Sequence, residues 1–231
     1  MNFSYNKPFM NSFDLLFALK NKGYLTKLRD PLWWPRSGSY EVIVGAILTQ
    51  QTKWEKVEKS LECLRQNGID SLEKIASLEL ESLSSFIKPS GFYNTKAKYL
   101  KELSGAILRD FGSFEIFCLE VERTWLLSQK GVGEESADSI LCYACHQEAM
   151  VVDAYTARLL LGFGYEFDSY EALQTWTVTG IAENRKKLNL LYEKEIGLNE
   201  IYARFHGKIV EFCKENSSGK AVHVKDLGLC C

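Results

Sequence analysis

A chain of 231 residues, 46% hydrophobic and 25% charged, is long enough to bury a real apolar core in one large or two modest domains. Its formal net charge of −2 excludes a generally basic protein that coats nucleic acid, but leaves room for a local basic cleft. Seven cysteines, an odd number scattered through helical patterns, read as reduced and mostly buried thiols; with no stretch resembling a signal peptide or membrane span, a cytoplasmic, bacterial-type protein is expected.

In chain order, helical periodicity dominates. SFDLLFALKNKG sets Phe13, Leu16, Phe17 and Leu19 on one stripe, with Gly23 as the stop. YEVIVGAILTQQTKWEKVEKSLECLRQNG reads as an apolar helix, a polar break near Gln50 to Lys53, and an amphipathic helix ending at Gly68. SLEKIASLELESLSSFI, NTKAKYLKELSGAILRDFG and SFEIFCLEVERTWLLSQ continue the pattern. SYEALQTWTVTG, KKLNLLYEKEI and NEIYARFHGKIVEFCKEN repeat it in the C-terminal third. Only AMVVDAY looks extended, which is too little for a sheet. The expected fold class is all-α, with about a dozen short helices. The stretch after Asn216, SSGKAVHVKDLGLCC, is polar and glycine-containing and is expected to be loosely held.

Three stretches carry chemistry-bearing residues. In KGVGEESAD (130–138), Gly131, Val132 and Gly133 form a tight turn that opens into a helix near Glu134. Successive backbone N–H groups at such a helix start can hold a phosphate without a cationic side chain, though an ordinary αα-hairpin would use the same spacing. In VVDAY (151–155), Asp153 precedes AYTARLLLGFG and suits a helix cap, which would also fix its carboxylate in space. DPLWWPRSGSYE places Trp33, Trp34 and Pro35 together, and Trp54 follows the Gln50–Gln51 pair.

Taken in order, LTQQTKWEKV (48–57), SGFYNTKAKYL (90–100), KGVGEESAD and VVDAY resemble the endonuclease III branch of the helix-hairpin-helix DNA glycosylases, over residues 10–215. The resemblance implies an all-helical fold of two lobes with the active site in the cleft between them. One lobe would be a six-helix barrel over 32–147 containing the hairpin at 129–134; the other would combine 1–31 with 148–231 and carry the catalytic residue. It implies double-stranded DNA as partner, a hairpin that grips a phosphate beside the damaged nucleotide, and hairpin carbonyls that hold a monovalent cation in many members.

Asp153 matches the catalytic aspartate, which stabilises an oxocarbenium-like sugar and orients or deprotonates a water. Glu135 stands where bifunctional members carry a lysine that attacks the sugar, so a monofunctional enzyme without lyase activity is expected. The resemblance runs closest to the 3-methyladenine glycosylases. An electron-deficient alkylated purine, once extruded, gains from flat aromatic faces. Trp54 and Trp33 are the expected stacking pair, with Trp34 and Pro35 as wall and Lys214 approaching the pocket. Gln51, or in second place Gln50, would fill the gap left by the base, while Lys96 and Lys98 are candidate phosphate contacts.

The mismatch adenine glycosylases share the paired glutamines but protonate adenine with a glutamate whose place here is Ala46, so they are the nearest alternative, with thymine-mismatch enzymes behind them. A non-catalytic helix-hairpin-helix DNA-binding module is the alternative from another class. Many members also hold a [4Fe–4S] cluster on four cysteines. The matching positions here are Glu211, Ser218, Ala221 and Leu227 or Gly228, and Cys213, Cys230 and Cys231 have the wrong spacing, so no cluster is expected. Cys142 and Cys145 form a C-x-x-C with no second pair, so no zinc is expected either. Arg204, His206, Lys208 and Glu211 are offered as a polar network replacing the cluster. A monomer associated with the nucleoid, off the membrane, completes the expectation.

Overall fold

A computed structural model of the chain describes residues 10–25 and 32–229. The fold is all-α, with thirteen α-helices among the described residues and one two-stranded hairpin. Two compact units divide between Trp33 and Trp34 and again between Ala149 and Met150, against expected boundaries at 31/32 and 147/148. None of the described helices is long and apolar enough to cross a membrane.

The chain enters through α1 (Ser12–Asn21), whose start is a full capping box: Asn11 and Asp14 each accept the other's backbone N–H at 3.1 Å. This helix belongs with the C-terminal unit.

Residues 34–149 form the first unit to be completed along the chain. Its centre is α2 (Tyr40–Leu48), buried on every side from Glu41 to Leu48, as its continuous apolar run requires. Residues 49–53 turn the chain, and α3 (Trp54–Gln66) shows the amphipathic alternative, burying only Val57, Ser60, Leu61 and Leu64. The short helices α4 (Leu72–Ser77) and α5 (Leu80–Phe86) lie along α6 (Tyr93–Phe111). Ser71 and Ser113 cap the starts of α4 and of α7 (Phe114–Glu120) by accepting backbone N–H bonds at 3.4 and 3.3 Å. The unit ends in α8 (Arg123–Ser128), α9 (Glu134–Ser139) and a π-helical turn at Ile140–Ala144. Each fully buried leucine or isoleucine in this set contributes about 2 kcal/mol of apolar burial.

The other unit packs α1 with α10 (Ala154–Gly162), α11 (Tyr170–Glu183), α12 (Arg185–Tyr192) and α13 (Leu198–Glu215). Helix α13 buries eleven of its 18 residues, which makes it the central element. Helices α1 and α10 lie against it, and α1 also meets α11, where Gly180 admits Ser12 so closely that a Cβ would stand 2.4 Å from its Oγ.

The stretch after Asn216 corrects the expectation of a loose tail. Strands β1 (Ser217–Ser218) and β2 (Ala221–Val222) pair antiparallel, and Val222, Val224 and Leu227 are buried in the same core as Leu159, Leu160 and Phe212. A Cβ on Gly162 would meet Val224 Cγ1 at 2.7 Å, so the end of α10 is shaped to receive this segment. The Val-His-Val alternation buries one side and exposes the other. Cys230 and Cys231 lie outside the described residues.

Candidate active site and DNA-binding elements

The stretch read as extended carries no regular structure from Met150 to Asp153, but Val151 and Val152 are buried and hold it in place. Gln174 donates to the Met150 carbonyl at 2.6 Å, bracing the same stretch from α11. It delivers Asp153 to the N-cap of α10. There Oδ1 accepts the backbone N–H of Thr156 at 2.8 Å and its hydroxyl at 2.9 Å, while Oδ2 lies 3.5 Å from His206 Nε2 on α13. The two oxygens therefore divide their work: one fixes the helix start, the other faces an imidazole. Burial alone would raise the carboxyl pKa, but hydrogen bonding to His206, its charge and the Thr156 donors outweigh that, and the net shift is downward. An ionised carboxylate with 12% of its side chain exposed suits the stabilisation of positive charge close by.

His206 stands beside Asp153, apart from the polar network in which the sequence places it. Of the four α13 side chains offered as one network, Arg204 pairs with Glu200 at 2.7 Å and Lys208 donates to the Tyr24 carbonyl. His206 turns to Asp153, and Glu211 to Trp33 and Lys214. At 100° per residue, Arg204, Lys208 and Glu211 share one stripe of α13 and His206 lies on the opposite side, so the four do not share a face, and each takes a different partner.

The adjacent tryptophans part company. Trp33, at φ +74°, sets its ring edge-on to His206 with centroids 5.1 Å apart and donates its Nε1–H to Glu211 at 3.1 Å. Gly207 makes this approach possible, since a Cβ there would stand 2.4 Å from Trp33 Cγ. Lys214 Nζ lies 5.9 Å from the Trp33 centroid and 3.3 Å from Glu211. Trp33, Lys214, His206 and Asp153 thus form one connected group. Trp34 is buried in the other unit, where it meets Trp54 edge-on at 5.6 Å and Tyr143 at 5.2 Å. Trp54, the first residue of α3, is half-buried, and Pro35 is exposed.

At the turn between α2 and α3, the paired glutamines also take separate roles. Gln50 is corrected as a DNA contact: its amide donates to the Gly131 carbonyl at 2.8 Å and to Ser136 Oγ at 3.0 Å, tying this turn to the hairpin. Gln51 is exposed at φ +53°, a left-handed conformation uncommon for a residue with a Cβ. Lys96 is also corrected. It is only 3% exposed, and its ammonium donates to Leu48 O at 2.8 Å, Thr52 Oγ1 at 2.8 Å and Ser90 O at 2.9 Å, so it has nothing left for a phosphate. Its position on the apolar stripe of α6, four residues before Leu100, was the signal for burial. Lys98 stays exposed, with Glu102 at 3.9 Å.

The hairpin joins α8 to α9 as the spacing predicts. Gly131 sits at φ +85°, and a Cβ there would be 2.2 Å from Tyr99 Cδ2, so conformation and space both demand glycine. Val132 is buried and closes the turn by donating its N–H to the Gln129 carbonyl at 3.1 Å. Gly133 is the N-cap of α9; a Cβ on it would meet nothing within 4 Å, which leaves the helix start open to a partner. Arg123 braces the two helices by donating to both oxygens of the buried Asp138, at 2.8 and 3.1 Å. Glu135 is exposed in the first turn of α9.

Cys142 is buried, and burial with Asp138 nearby pushes its thiol pKa up. Among the described residues no group of three or more His, Cys, Asp or Glu side chains is placed to hold a metal ion. The positions matching the cluster cysteines do not fit iron: Glu211 binds Trp33, Ser218 and Ala221 form the hairpin strands, and Leu227 is core.

Residues 44–168 match the family described as HhH-GPD superfamily base excision DNA repair protein. The crystal structure of the H. pylori 3-methyladenine DNA glycosylase MagIII, bound to 1,N6-ethenoadenine, is 49% identical with a TM-score of 0.87 and covers 90% of this chain and all 100% of that one. MJ1434 of Methanocaldococcus jannaschii, whose name assigns it provisionally to the DNA repair glycosylases, is 36% identical over 92% of this chain and 93% of its own. The endonuclease III of Thermotoga maritima is 27% identical over 75% and 72% of the two chains. With a capped aspartate, a glycine hairpin and these likenesses in hand, the chain belongs to the HhH-GPD superfamily of base excision DNA repair proteins, as one of its DNA glycosylases.

Proposed function

We propose that this chain is a monofunctional glycosylase that releases 3-methyladenine, with other alkylated purines as further substrates, from double-stranded DNA. The observation that carries the reading is the connected group of Asp153, His206 and Trp33. A base must leave the stack before its glycosidic bond can be reached. Trp33 and Trp54 each supply an aromatic face to it, and a cationic methylated purine gains from such faces what neutral adenine does not. Lys214 stands beside Trp33 in this proposal, and Trp34 backs Trp54 from within its own unit. The same cationic base is already a good leaving group, so no strong general acid is required. Asp153 Oδ2 then stabilises the oxocarbenium-like sugar and takes the proton of the attacking water.

The other parts follow from the backbone. N–H groups after Gly133 hold a phosphate, Gln51 enters the gap left by the base, and Lys98 adds a surface charge. Gln129 and Gly131 carbonyls each keep a lone pair for a monovalent cation. Glu135 offers no amine, so no Schiff base forms and the strand stays intact. The likeness to the MagIII structure supports the choice of base.

Incubation with methylated duplex DNA is expected to give free 3-methyladenine, and borohydride is expected to trap no covalent complex. Binding without release of any base would refute the enzyme in favour of a DNA-binding module, and a trapped complex would refute the monofunctional reading. Trp54→Ala should lower release sharply with non-specific DNA affinity nearly unchanged.

A further inference from the structure

We infer that Lys96 is a positioning residue for base extrusion, its buried ammonium locking the Gln51 turn and the Gly91–Phe92 turn into one rigid piece. The inference rests on the reading of Gln51 as the side chain that enters DNA.

An ammonium has three donors and no acceptor, and here all three are used on two separate turns. Leu48 O, at the end of α2, and Thr52 Oγ1 bracket the Gln51 turn; Ser90 O belongs to the other. Thr52 completes the joint by donating its own hydroxyl O–H to Ser90 O at 2.6 Å, and Ser90 Oγ donates to Ile87 O at 2.7 Å. A cation also suits the carbonyl end of α2. Above this joint stand two non-glycine residues in the left-handed region, Gln51 at φ +53° and Phe92 at φ +48°, the latter 69% exposed. With Lys53, Lys56 and Gly91 they border a cavity of about 340 Å³.

Two strained tips over one buried cation need an explanation. Left-handed turns of this kind persist only where the surroundings over-determine them, and Lys96 is the group that does so for both. Turn tips ordinarily move, and a moving tip spends binding free energy on its own ordering rather than on displacing a stacked base. The three acceptors are neutral, so burial pushes the Lys96 pKa down to about 8. A buried charge kept without a carboxylate is a costly device, better placed where geometry matters than where only packing does.

The test compares excision of 3-methyladenine from duplex and from single-stranded DNA under single-turnover conditions. A single strand presents its base without extrusion. Lys96→Met is expected to slow duplex excision about tenfold or more while leaving the single-strand rate within about twofold. Thr52→Val, which removes the hydroxyl joint and keeps the volume, should give the same selectivity with a loss of about three- to fivefold. Should Lys96→Met fail to fold, by circular dichroism, Thr52→Val decides. Equal loss on both substrates, or no loss on the duplex, overturns the inference and leaves the glycosylase reading standing. Wild-type protein that releases no base from either substrate overturns the glycosylase reading and the inference with it.

Discussion

The Asp153 group and the glycine hairpin serve the same protein by opposite means. Around Asp153 the working parts are side chains, each held by a specific neighbour: Thr156 on one oxygen, His206 by the other, Trp33 against His206. In the hairpin the working parts are backbone groups, and glycine matters because it is absent side chain. A site made of side chains is fixed by residue identity, whereas one made of backbone tolerates any side chain that leaves the chain's path alone. Acidic residues at the start of α9 are therefore compatible with the phosphate-holding role proposed for this turn.

The largest effect should come from Asp153→Asn, which keeps a helix-capping oxygen and removes the charge. Excision should fall about a thousandfold while the protein remains folded. A mutant with near-full excision would dissolve the side-chain half of the comparison. Gly131→Ala comes next, because it puts a Cβ into the Tyr99 ring at a positive φ. A loss of about 2–4 kcal/mol in urea unfolding is expected. Gly133→Ala sharpens the contrast: its Cβ meets open space, so the fold should lose about 1 kcal/mol or less while DNA affinity drops.

A smaller effect concerns acid. The Asp153 carboxyl is more acidic in the folded chain than its ordinary value of 3.8. A group with a depressed folded pKa adds stability above the unfolded value and loses it as pH falls through the folded one. The stability difference between wild type and Asp153→Asn should thus shrink as pH falls below about 4, as denaturant titrations would record. Smallest of all is Glu135→Gln, whose excision should stay within about twofold of wild type. A large change there would mean that the hairpin depends on side-chain charge after all.

What was legible in the sequence was whatever a single helix determines. The break between α2 and α3, the hairpin spacing and the aspartate before α10 all follow from local periodicity and capping. Lys96 was read as surface because lysines usually are, although its place beside Ala97 and four residues before Leu100 already put it on the buried stripe. Trp33 and Trp34 could not be assigned at all from spacing: adjacent residues diverge, and which partner each finds is decided by elements far along the chain. His206 belongs to the same class. Nothing local connects it to Asp153, more than fifty residues earlier. The segment after Asn216 looked unstructured because its apolar residues are few, yet Val222 and Val224 face a core they did not build.

That last unit has a consequence for synthesis. Helix α1 emerges early, but its partners α11 and α13, and the valines that close over Gly162, leave the ribosome only after residues 34–149 have done so. The 34–149 unit has all its own contacts first and is free to fold as a block. Meanwhile α1 carries Leu15, Leu16 and Leu19 with nothing to cover them. During that interval the nascent chain carries an uncovered apolar segment, too short to hold a helix by itself. A chain interrupted before residue 222 would keep its hairpin in order yet leave the core around Asp153 uncapped, a state that proteases read as unfinished.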